Sequence, residues 1–297
     1  MAPTNSKKKI DGALTRIWDI ERDHCAADPC HFAFNHVLTK DEHDFENPVR
    51  KFPEKEYLRF TLNEWHTGEK LQYVAKSRQL MVSWLLCVYA IWVARFVPHR
   101  LVLFQSKKSE DAQKMVFVQS PEQARCSFLE HNLPGWLKYA KMSDGSYAPI
   151  KMKDVGREGT LVYPNGSRIE AIPQGSTQIE GRVPSLYLCD EASLQDEWSA
   201  AQAAAKPCIA GAARGITVAT MRLPSDYGDE IAPSDDVDPD SEMRGIARFT
   251  SKSGVSGIRI HYTADPAKDP ETPQGAVWLS QALAGYPGGW LGISGSS

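Results

Sequence analysis

The chain has 297 residues and a formal net charge of −3, with 42% hydrophobic and 24% charged residues, which is the composition of an ordinary globular protein. The small net charge excludes a global basic field, so a nucleic-acid partner would have to be met by local basic patches. The longest apolar run, 84–97, is too short to span a membrane, and the N-terminus lacks the apolar segment of a secretory signal. We therefore expect a cytoplasmic protein with no membrane partner.

The chain divides into three predicted regions. Residues 1–55 form a polar N-terminal arm, in which the apolar island HFAFNHVLT (31–39) can pack on a larger core. Strand and helix candidates alternate over 56–264, which predicts an α/β fold with a mostly parallel sheet flanked by helices and with ligands at the carboxyl ends of the strands. Within it, the acidic stretch 223–243 is predicted to be a solvated loop, and a Pro-rich tail follows at 265–297.

The six cysteines are scattered, which argues against a disulfide framework in a chain of this size. The segment HCAADPCH (24–31) flanks two cysteines with histidines and so invites interpretation as a metal site. Its C-x4-C spacing is at the loose end for zinc, however, and no second Cys/His pair follows at the usual distance. We therefore interpret the segment as a loop with incidental cysteines rather than a structural zinc site.

The loop KSRQLMVSW (76–84) connects a strand-like segment to a strongly apolar helix candidate. The N-terminus of a helix attracts anions because its first N–H groups have no intrahelical partner. Lys76 would add a point charge for phosphate and the Ser83 hydroxyl would ligate Mg²⁺, which is the logic of the phosphate-binding loop G-x-x-x-x-G-K-[ST]. This loop has no glycine, and Val82 precedes Ser83, so a surface turn with ordinary basic residues is the better explanation of the loop taken alone.

A second motif makes the prediction of a nucleotide site at 76–83 more specific. The apolar strand SLYLCDEAS (185–193) ends in Asp190 and Glu191, and two adjacent acids at the end of a buried strand are costly unless a cation lies there. In nucleotide hydrolases the Asp holds Mg²⁺ and the Glu polarises the attacking water. The alternative is a strand that merely ends at a polar loop. The next strand, RGITVATM, carries Thr217 and Thr220 where such motors sense the γ-phosphate, although two incidental threonines explain it equally well.

Together these motifs resemble those of the large terminase subunit of tailed bacteriophages, the ATPase that packages DNA into procapsids. The resemblance covers residues 28–290. KSRQLMVSW is similar to the family's deviant Walker A motif, STQIEGRVPSLYLCDEAS to the segment leading into its Walker B motif, and GITVAT to its coupling motif. Met81 departs from the glycine most common in that loop. The resemblance implies a P-loop NTPase fold of the ASCE type, with Mg²⁺ as the cofactor of ATP hydrolysis.

The resemblance also implies roles for individual residues. The nucleotide-binding residues are Lys76, Ser77, Arg78, Gln79, Leu80, Met81, Val82 and Ser83. The catalytic residues are Glu191, Arg78 and Arg182. The Mg²⁺ ligands are Ser83 and Asp190, and the coupling residues are Thr217 and Thr220. Lys76 would contact the β- and γ-phosphates, Glu191 would be the catalytic carboxylate, Arg78 would touch or sense the γ-phosphate, and Arg182 would be a trans-acting or sensor arginine.

Two further groups of residues have candidate contacts with ligands. The rings of Phe52, Tyr57 and Phe60 precede the loop and could stack on adenine, although we favour a place for them in the core. DNA would be contacted through its phosphate backbone, because a packaging motor must move any sequence. The candidate backbone contacts are Lys107, Lys108, Lys151, Lys153 and Arg157, although a solvated side chain on a loop is the better explanation of any one of them taken alone.

The implied function is an ATP-hydrolysing motor that translocates double-stranded DNA into a procapsid. Its partners would be DNA, the portal and procapsid, and the small terminase subunit. It would work as a homo-oligomeric ring, in the cytoplasm of the infected bacterial host rather than in the virion. Two alternatives stay open, a helicase-like DNA-dependent ATPase and a non-catalytic remnant that binds capsid or DNA. In the family that the sequence resembles, a nuclease domain normally follows where this chain has its tail. The acids of the tail lie among prolines, so we expect no nuclease activity from this chain.

Overall fold

The computed structural model describes residues 5–41, 44, 46–142, 144, 146–149, 151–155, 158–211, 213–220, 226–231 and 238–285. Among these residues the α-helices are α1 (Asn5–Ala27), α2 (Pro29–His36), α3 (Glu56–Thr67), α4 (Val82–Phe96), α5 (Ser109–Val116), α6 (Arg125–His131), α7 (Trp198–Gly211), α8 (Asp226–Ile231) and α9 (Pro273–Gly285). The strands are β1 (Leu38–Lys40), β2 (Val49–Lys51), β3 (Leu71–Lys76), β4 (Leu101–Gln105), β5 (Tyr139–Lys141), β6 (Tyr147–Pro149), β7 (Lys151–Val155), β8 (Glu158–Val162), β9 (Arg168–Ile172), β10 (Leu186–Cys189), β11 (Arg214–Thr220), β12 (Ile246–Thr250) and β13 (Ser256–Ile260).

The centre of the fold is a sheet that has nine strands among the described residues, in the order β12–β13–β3–β11–β10–β4–β9–β8–β7. The five neighbouring pairs from β13 to β9 are parallel. The three outer pairs, β12–β13, β9–β8 and β8–β7, are antiparallel. The predicted α/β fold with a mostly parallel sheet flanked by helices is therefore confirmed.

Helices cover both faces of this sheet, as the sequence requires. The strand β10 is buried along its whole length and α4 is apolar on nearly every side, so both need apolar neighbours on all sides. On one face α4 packs in a cluster that includes Val74 and Leu188. On the other face α7 packs through Trp198 against a cluster that includes Tyr73 and Tyr187. Successive residues of each strand thus feed two separate apolar clusters.

Residues 1–55 contribute directly to the first cluster. The apolar island 31–39 supplies Phe32 and Phe34, whose exposed fractions are 1% and 0%. Phe32 packs edge-to-face against Phe96 of α4, with ring centroids 5.5 Å apart. The prediction that this island packs on a larger core is confirmed.

The segment HCAADPCH differs from its sequence-based interpretation, because it contains the end of α1 and the start of α2 instead of a loop. Asp28 separates the two helices and caps α2, since its side chain accepts a hydrogen bond from the Cys30 N–H at 2.7 Å. Pro29 follows at the first helical position, where a missing N–H costs nothing. This cap and proline are the local reason why one helix ends here and another begins.

The acidic stretch 223–243 also differs from its predicted state as a solvated loop. Within it the helix α8 buries Tyr227 and Ile231, which lie one helical turn apart. The Tyr227 hydroxyl donates to the Val74 carbonyl at 2.8 Å, so this helix is fastened to β3. Two other parts of the acidic stretch lie outside the described residues.

The Pro-rich stretch that begins at Asp265 is folded onto the rest of the chain. Asp265 is 3% exposed, and its two carboxylate oxygens accept from Lys55 Nζ at 2.6 and 2.7 Å. Asp269 accepts from the Arg244 guanidinium at 3.0 Å, and α9 follows. These ion pairs hold the stretch in place before the last residues, 286–297, which lie outside the described part of the chain. In the described part, no helix combines the length and the apolar character that a membrane crossing needs.

Candidate nucleotide-binding site

The predicted phosphate-binding lysine lies at the end of a central strand. Lys76 closes β3 and is 6% exposed. Its Nζ donates to the Thr220 Oγ1 at 3.1 Å, and Thr220 stands opposite it in register at the end of β11. Among the described residues no carboxylate forms an ion pair with Lys76. The buried ammonium therefore lacks a counter-ion, which an anionic ligand can supply.

The backbone of the loop after Lys76 takes an uncommon conformation. Gln79 and Met81 both have a φ of 58°, in the left-handed region that costs a residue with a Cβ roughly 1–2 kcal/mol. Met81 is the N-cap of α4, so the loop reaches this conformation without the glycine that its motif usually carries. Among the described residues no side chain caps this helix, which leaves its first N–H groups open to a ligand.

Contacts from the surrounding fold hold this loop. The Tyr57 hydroxyl donates to the Leu80 carbonyl at 3.1 Å, and burial keeps the pKa of Tyr57 well above its ordinary value, so the hydroxyl stays a donor. The Ser77 N–H donates to the Ile260 carbonyl at 2.9 Å, at the end of β13. Because both partners belong to buried elements, tertiary structure imposes the left-handed backbone.

A lysine that the sequence-based reasoning missed also binds the loop. Lys268 donates from Nζ to the carbonyls of Gln79 at 2.6 Å and Arg78 at 3.4 Å. It is 8% exposed, and its ammonium lies 5.5 Å from the ring centroid of Trp278. Burial lowers the pKa of Lys268 to about 8, so modest changes of pH alter its charge.

The first of the two predicted acids is suited to a metal ion. Asp190 follows β10, and its N–H donates to the Gln105 carbonyl at 2.9 Å, which extends the pairing with β4. Asp190 is 4% exposed, and its Oδ1 is buried with no hydrogen-bond partner among the described residues. An unpaired buried carboxylate oxygen is costly unless a cation or water completes it, so Asp190 fits Mg²⁺. Ser83, the other predicted ligand, is half-buried in the first turn of α4.

The second acid shares the backbone strain of the lysine loop. Glu191 is half-buried and has a φ of 54° and a ψ of 41°. Of the four described non-glycine residues with positive φ, three are Gln79, Met81 and Glu191. Strain of this kind persists only where the surrounding structure imposes it, and it is concentrated at functional sites. Left-handed backbone is therefore found in both of the loops that the sequence motifs predict to be functional.

The strand β11 lies between β3 and β10 and connects the two loops. Its last residue, Thr220, accepts from Lys76 through its hydroxyl, and its carbonyl accepts from the Ser193 hydroxyl at 2.7 Å. Adjacent strands lie about 4.8 Å apart, so β3 and β10 are separated by roughly 10 Å across the sheet, and β3 ends three residues beyond β10 in register. Lys76 and the two acids therefore lie at the same edge of the sheet, on strands that β11 separates.

Thr217, predicted as a second coupling residue, stands in register with Cys189 at the end of β10, but its side chain does not share the face of Thr220. It lies three residues before Thr220 on the same strand, so its side chain points to the opposite face of the sheet. There it is fully buried and accepts from Gln202 Nε2 at 2.9 Å. Gln202 belongs to α7, so the Thr217 hydroxyl contacts that helix, whereas the Thr220 hydroxyl contacts Lys76.

The two predicted arginines occupy opposite edges of the sheet. Arg78 lies in the lysine loop and is exposed. Arg182 lies before the start of β10, where its Nη1 contacts Glu170 Oε2 at 2.5 Å. It lines a cavity of about 380 Å³ together with His99 and Arg100, at the ends where strands begin. The length of β10 separates Arg182 from the two loops, so it does not reach the site of its own chain.

The aromatic residues considered for the adenine pocket belong mainly to the core. Phe52 and Tyr57 are buried in the cluster under α4. Phe60 is partly buried, and the Arg248 guanidinium lies 5.2 Å from its ring centroid. The rings of Phe52 and Tyr57 are therefore not free to stack on a base.

No protein-family model and no curated protein matches the sequence, whereas several solved structures match the fold. The large terminase of a thermophilic bacteriophage in complex with ADP matches with a TM-score of 0.50 and 12% identity, over 79% of this chain and 50% of that one. The large terminase ATPase domain of Thermus phage P74-26 has a TM-score of 0.47 and 10% identity, over 79% of this chain and 89% of that one. The HK97 bacteriophage large terminase has a TM-score of 0.47 and 12% identity, over 68% of this chain and 39% of that one.

The fold is of the α/β class, with a mostly parallel sheet flanked by helices. The chain has the fold of the ADP-bound phage large terminase. It spans 50% of the length of that protein. At 12% identity this likeness concerns the fold alone. The activity has to be argued from the site.

Proposed function

We propose that the chain is the ATP-hydrolysing motor domain of a viral DNA-packaging machine, which couples ATP hydrolysis to movement of double-stranded DNA into a procapsid. The observation that carries this proposal is that Lys76 ends β3 and that Asp190 and Glu191 follow β10 at the same edge of the sheet, with Thr220 on the strand between them. The likeness of the fold to the ADP-bound large terminase supports it.

Each side chain at the site has a role that its surroundings support. Lys76, which is buried and has no counter-ion among the described residues, would neutralise the β- and γ-phosphates while the first N–H groups of α4 cradle them. Glu191 would orient the attacking water and accept its proton. Arg78 is exposed in the loop and would contact the γ-phosphate. Thr220 touches both Lys76 and Ser193, and so would transmit the loss of that phosphate to β11.

Asp190 and Ser83 would hold Mg²⁺, and the buried Oδ1 of Asp190, which has no partner within the described part of the chain, supports this assignment. When bound, the ion neutralises charge on the transferred phosphoryl group. A ring of identical chains would complete each site, because Arg182 lies at the edge opposite the loops and would act on the nucleotide of a neighbouring copy.

The proposed DNA contacts lie toward the β7 end of the sheet. Lys107 and Lys108 form the turn between β4 and α5, and Lys151 and Lys153 belong to the edge strand β7, while Arg157 lies outside the described residues. Contacts from such lysines to phosphates would be independent of base sequence. The portal, the procapsid and the small terminase subunit are further proposed partners, and the cytoplasm of an infected bacterium is the proposed location.

The proposal predicts Mg²⁺-dependent ATP hydrolysis that double-stranded DNA of any sequence stimulates. A phosphate-release assay with duplexes of unrelated sequence at increasing salt measures this. Because the contacts are to phosphate, stimulation should fall steeply as salt rises. The double variant Lys107→Ala, Lys108→Ala should keep basal hydrolysis and lower the salt slope by about 2.

The matched control for these lysines is Lys252→Ala, because Lys252 is exposed near the β12–β13 end of the sheet. This variant should leave both basal hydrolysis and DNA stimulation unchanged. Stimulation by single strands alone would favour the helicase-like ATPase instead. A folded protein that neither binds nor hydrolyses ATP would favour the non-catalytic remnant.

The affinity for MgATP is expected to fall as the pH rises through about 8, because Lys268 then loses the charge with which it holds the loop carbonyls. Burial lowers the pKa of Lys268, so the charge is present below that pH and absent above it. The ionisable groups that act on it are Asp265, Lys55 and Lys76. Linkage to one proton limits the fall to about tenfold per pH unit. Equilibrium titrations with a fluorescent ATP analogue across this range measure the profile.

Variants at this lysine separate its charge from its packing. Lys268→Arg keeps the charge over the whole range and should flatten the profile, since guanidinium does not lose its proton there. Lys268→Met should show the weaker, alkaline affinity at every pH. A profile that keeps its shape in both variants would contradict a role for Lys268 in nucleotide binding.

A further inference from the structure

The helices α1 and α2 bring together four side chains that can ligate a metal ion. The Glu21 carboxylate, the Cys25 thiol and the imidazoles of His31 and His36 each offer one donor atom, and these atoms lie within 4.8 Å of one another. Glu21 Oε1 lies 2.7 Å from the Nε2 atoms of both histidines. The Cys25 side is buried and the other three residues are half-buried, so the cluster has both a closed end and an open side.

The local sequence explains how these four donors meet. Glu21 and Cys25 are four residues apart on α1 and therefore share one face of that helix. The cap at Asp28 then ends one helix and starts the next, so that α2 presents His31 and His36 to the same face. The sequence alone does not predict that either histidine lies near Glu21, because a loop over 24–31 would not hold α1 and α2 side by side.

We propose that Glu21, Cys25, His31 and His36 bind a divalent transition metal ion of the zinc type, which ties α1 to α2. Two imidazole nitrogens, a thiolate and a carboxylate form the mixed N, S and O set that suits Zn²⁺ in a four-coordinate site. Mg²⁺ prefers oxygen ligands alone, so this cluster is chemically distinct from the nucleotide site.

The distances between donor atoms are compatible with such a site after small side-chain movements. Tetrahedral zinc places neighbouring donor atoms about 3.2–3.8 Å apart, given its bond lengths to N, O and S. The carboxylate–imidazole contacts of 2.7 Å would lengthen, and the longest separations would shorten from 4.8 Å. Because Glu21, His31 and His36 are only half-buried, their side chains have room to adjust.

Neighbouring groups orient the candidate ligands from outside the cluster. The Trp92 indole N–H donates to the Cys25 carbonyl at 2.7 Å and fixes this part of α1 on α4. The Asn35 Nδ2 lies 3.2 Å from His31 Nδ1, and a 180° turn of this amide places its oxygen there instead, to accept from Nδ1–H and leave Nε2 for the metal. The His36 ring packs edge-on against Trp136 at 5.2 Å. Such outer contacts fix the tautomer and direction of ligating imidazoles.

Co²⁺ titration of the full chain, purified and treated with a chelator, tests the proposal. We expect one equivalent to bind and to produce a thiolate-to-cobalt charge-transfer band, which Zn²⁺ then abolishes by replacing the cobalt. Cys25→Ala should remove this band. Glu21→Gln and His36→Ala should each weaken Zn²⁺ binding at least tenfold, measured by competition with a chromophoric chelator.

Two residues of the same segment serve as matched controls. His24 lies 3.6 Å from Glu21 Oε2 through its Nδ1 but is outside the cluster, so His24→Ala should bind Zn²⁺ like the parent. The Cys30 thiol faces Asn63 Oδ1 and the Arg59 carbonyl instead, so Cys30→Ala should keep the cobalt band.

The variants are compared by circular dichroism in the presence of chelator, so that a loss of folding is recognised. If Cys25→Ala does not fold, the Zn²⁺ affinities of Glu21→Gln and His36→Ala test the proposal, because both of these positions are only half-buried. A cobalt band that survives Cys25→Ala, Zn²⁺ affinity unchanged by Glu21→Gln and His36→Ala, or no binding by the folded parent would overturn the proposal.

Discussion

Replacing Glu191 by glutamine is expected to lower the rate of ATP hydrolysis by about 10²–10⁴-fold, which is the usual contribution of a general base. Glutamine has the shape of glutamate and should tolerate the same half-buried position, with its φ of 54°. Its neutral amide cannot take the proton of the attacking water, so chemistry is lost while nucleotide affinity is retained. Single-turnover hydrolysis and equilibrium ATP binding, measured on the same protein, separate these two effects.

Variants of two other acids, Glu197 and Asp190, test whether the loss of hydrolysis is specific to Glu191. Glu197→Gln is the matched control, because Glu197 is exposed a few residues further along the chain and should not affect hydrolysis. Asp190→Asn should instead raise the Mg²⁺ concentration needed for activity, because it changes the buried carboxylate whose Oδ1 has no partner among the described residues. Parental hydrolysis by Glu191→Gln would show that the catalytic base lies elsewhere.

The edge of the sheet that carries the site could be predicted because its signals are local. An apolar strand that runs into Lys76 and another that runs into Asp190 and Glu191 can be read from hydrophobic periodicity. Parallel strands then bring their carboxyl ends to one edge, whatever the order of the strands. The order itself, with β11 between β3 and β10, is set by packing of distant segments and becomes visible only in the structure.

Motif similarity assigns Thr217 and Arg182 to the site, whereas their positions along the strands place Thr217 on the other face of the sheet and Arg182 at its other edge. Thr217 and Thr220 are three residues apart on one strand, so alternation of side chains allows only one of them to face Lys76. Arg182 precedes the strand that ends before Asp190, so it starts at the opposite edge of the sheet. Both placements could have been inferred from the sequence by counting residues along the strands.

The support of the loop could not be inferred from the sequence. Lys268 is 189 residues from Gln79 along the chain and lies in a Pro-rich stretch that has no periodicity to interpret. The left-handed Met81 has no local cause either, because contacts such as that of Tyr57 with Leu80 impose it. Glu21 and Cys25 are four residues apart, which is a helical spacing, but a loop at 24–31 gives no reason to place them on one face of a helix.

Replacing Lys76 by methionine is expected to weaken ATP binding by roughly 10–100-fold, because a hydrogen bond to a charged group contributes about 1.5–3 kcal/mol. The fold should keep its stability, since Lys76 has no ion-pair partner among the described residues that would be left unpaired. The contact that is lost is the hydrogen bond to Thr220 Oγ1 at 3.1 Å, and methionine fills a similar volume. Calorimetric titration with MgATP and a thermal melt without nucleotide measure the two quantities.

Two further variants decide whether the effect belongs to this lysine. Lys70→Met is the matched control, because Lys70 is exposed just before the other end of β3 and should change neither affinity nor melting temperature. Thr220→Val removes the hydroxyl that positions Lys76 but keeps the charge, so affinity should fall less than in Lys76→Met. The double variant should bind no more weakly than Lys76→Met alone, because the hydroxyl acts through the lysine. Parental affinity in Lys76→Met at an unchanged melting temperature would remove Lys76 from the phosphate site, and additive losses in the double variant would give Thr220 a contact with the nucleotide of its own.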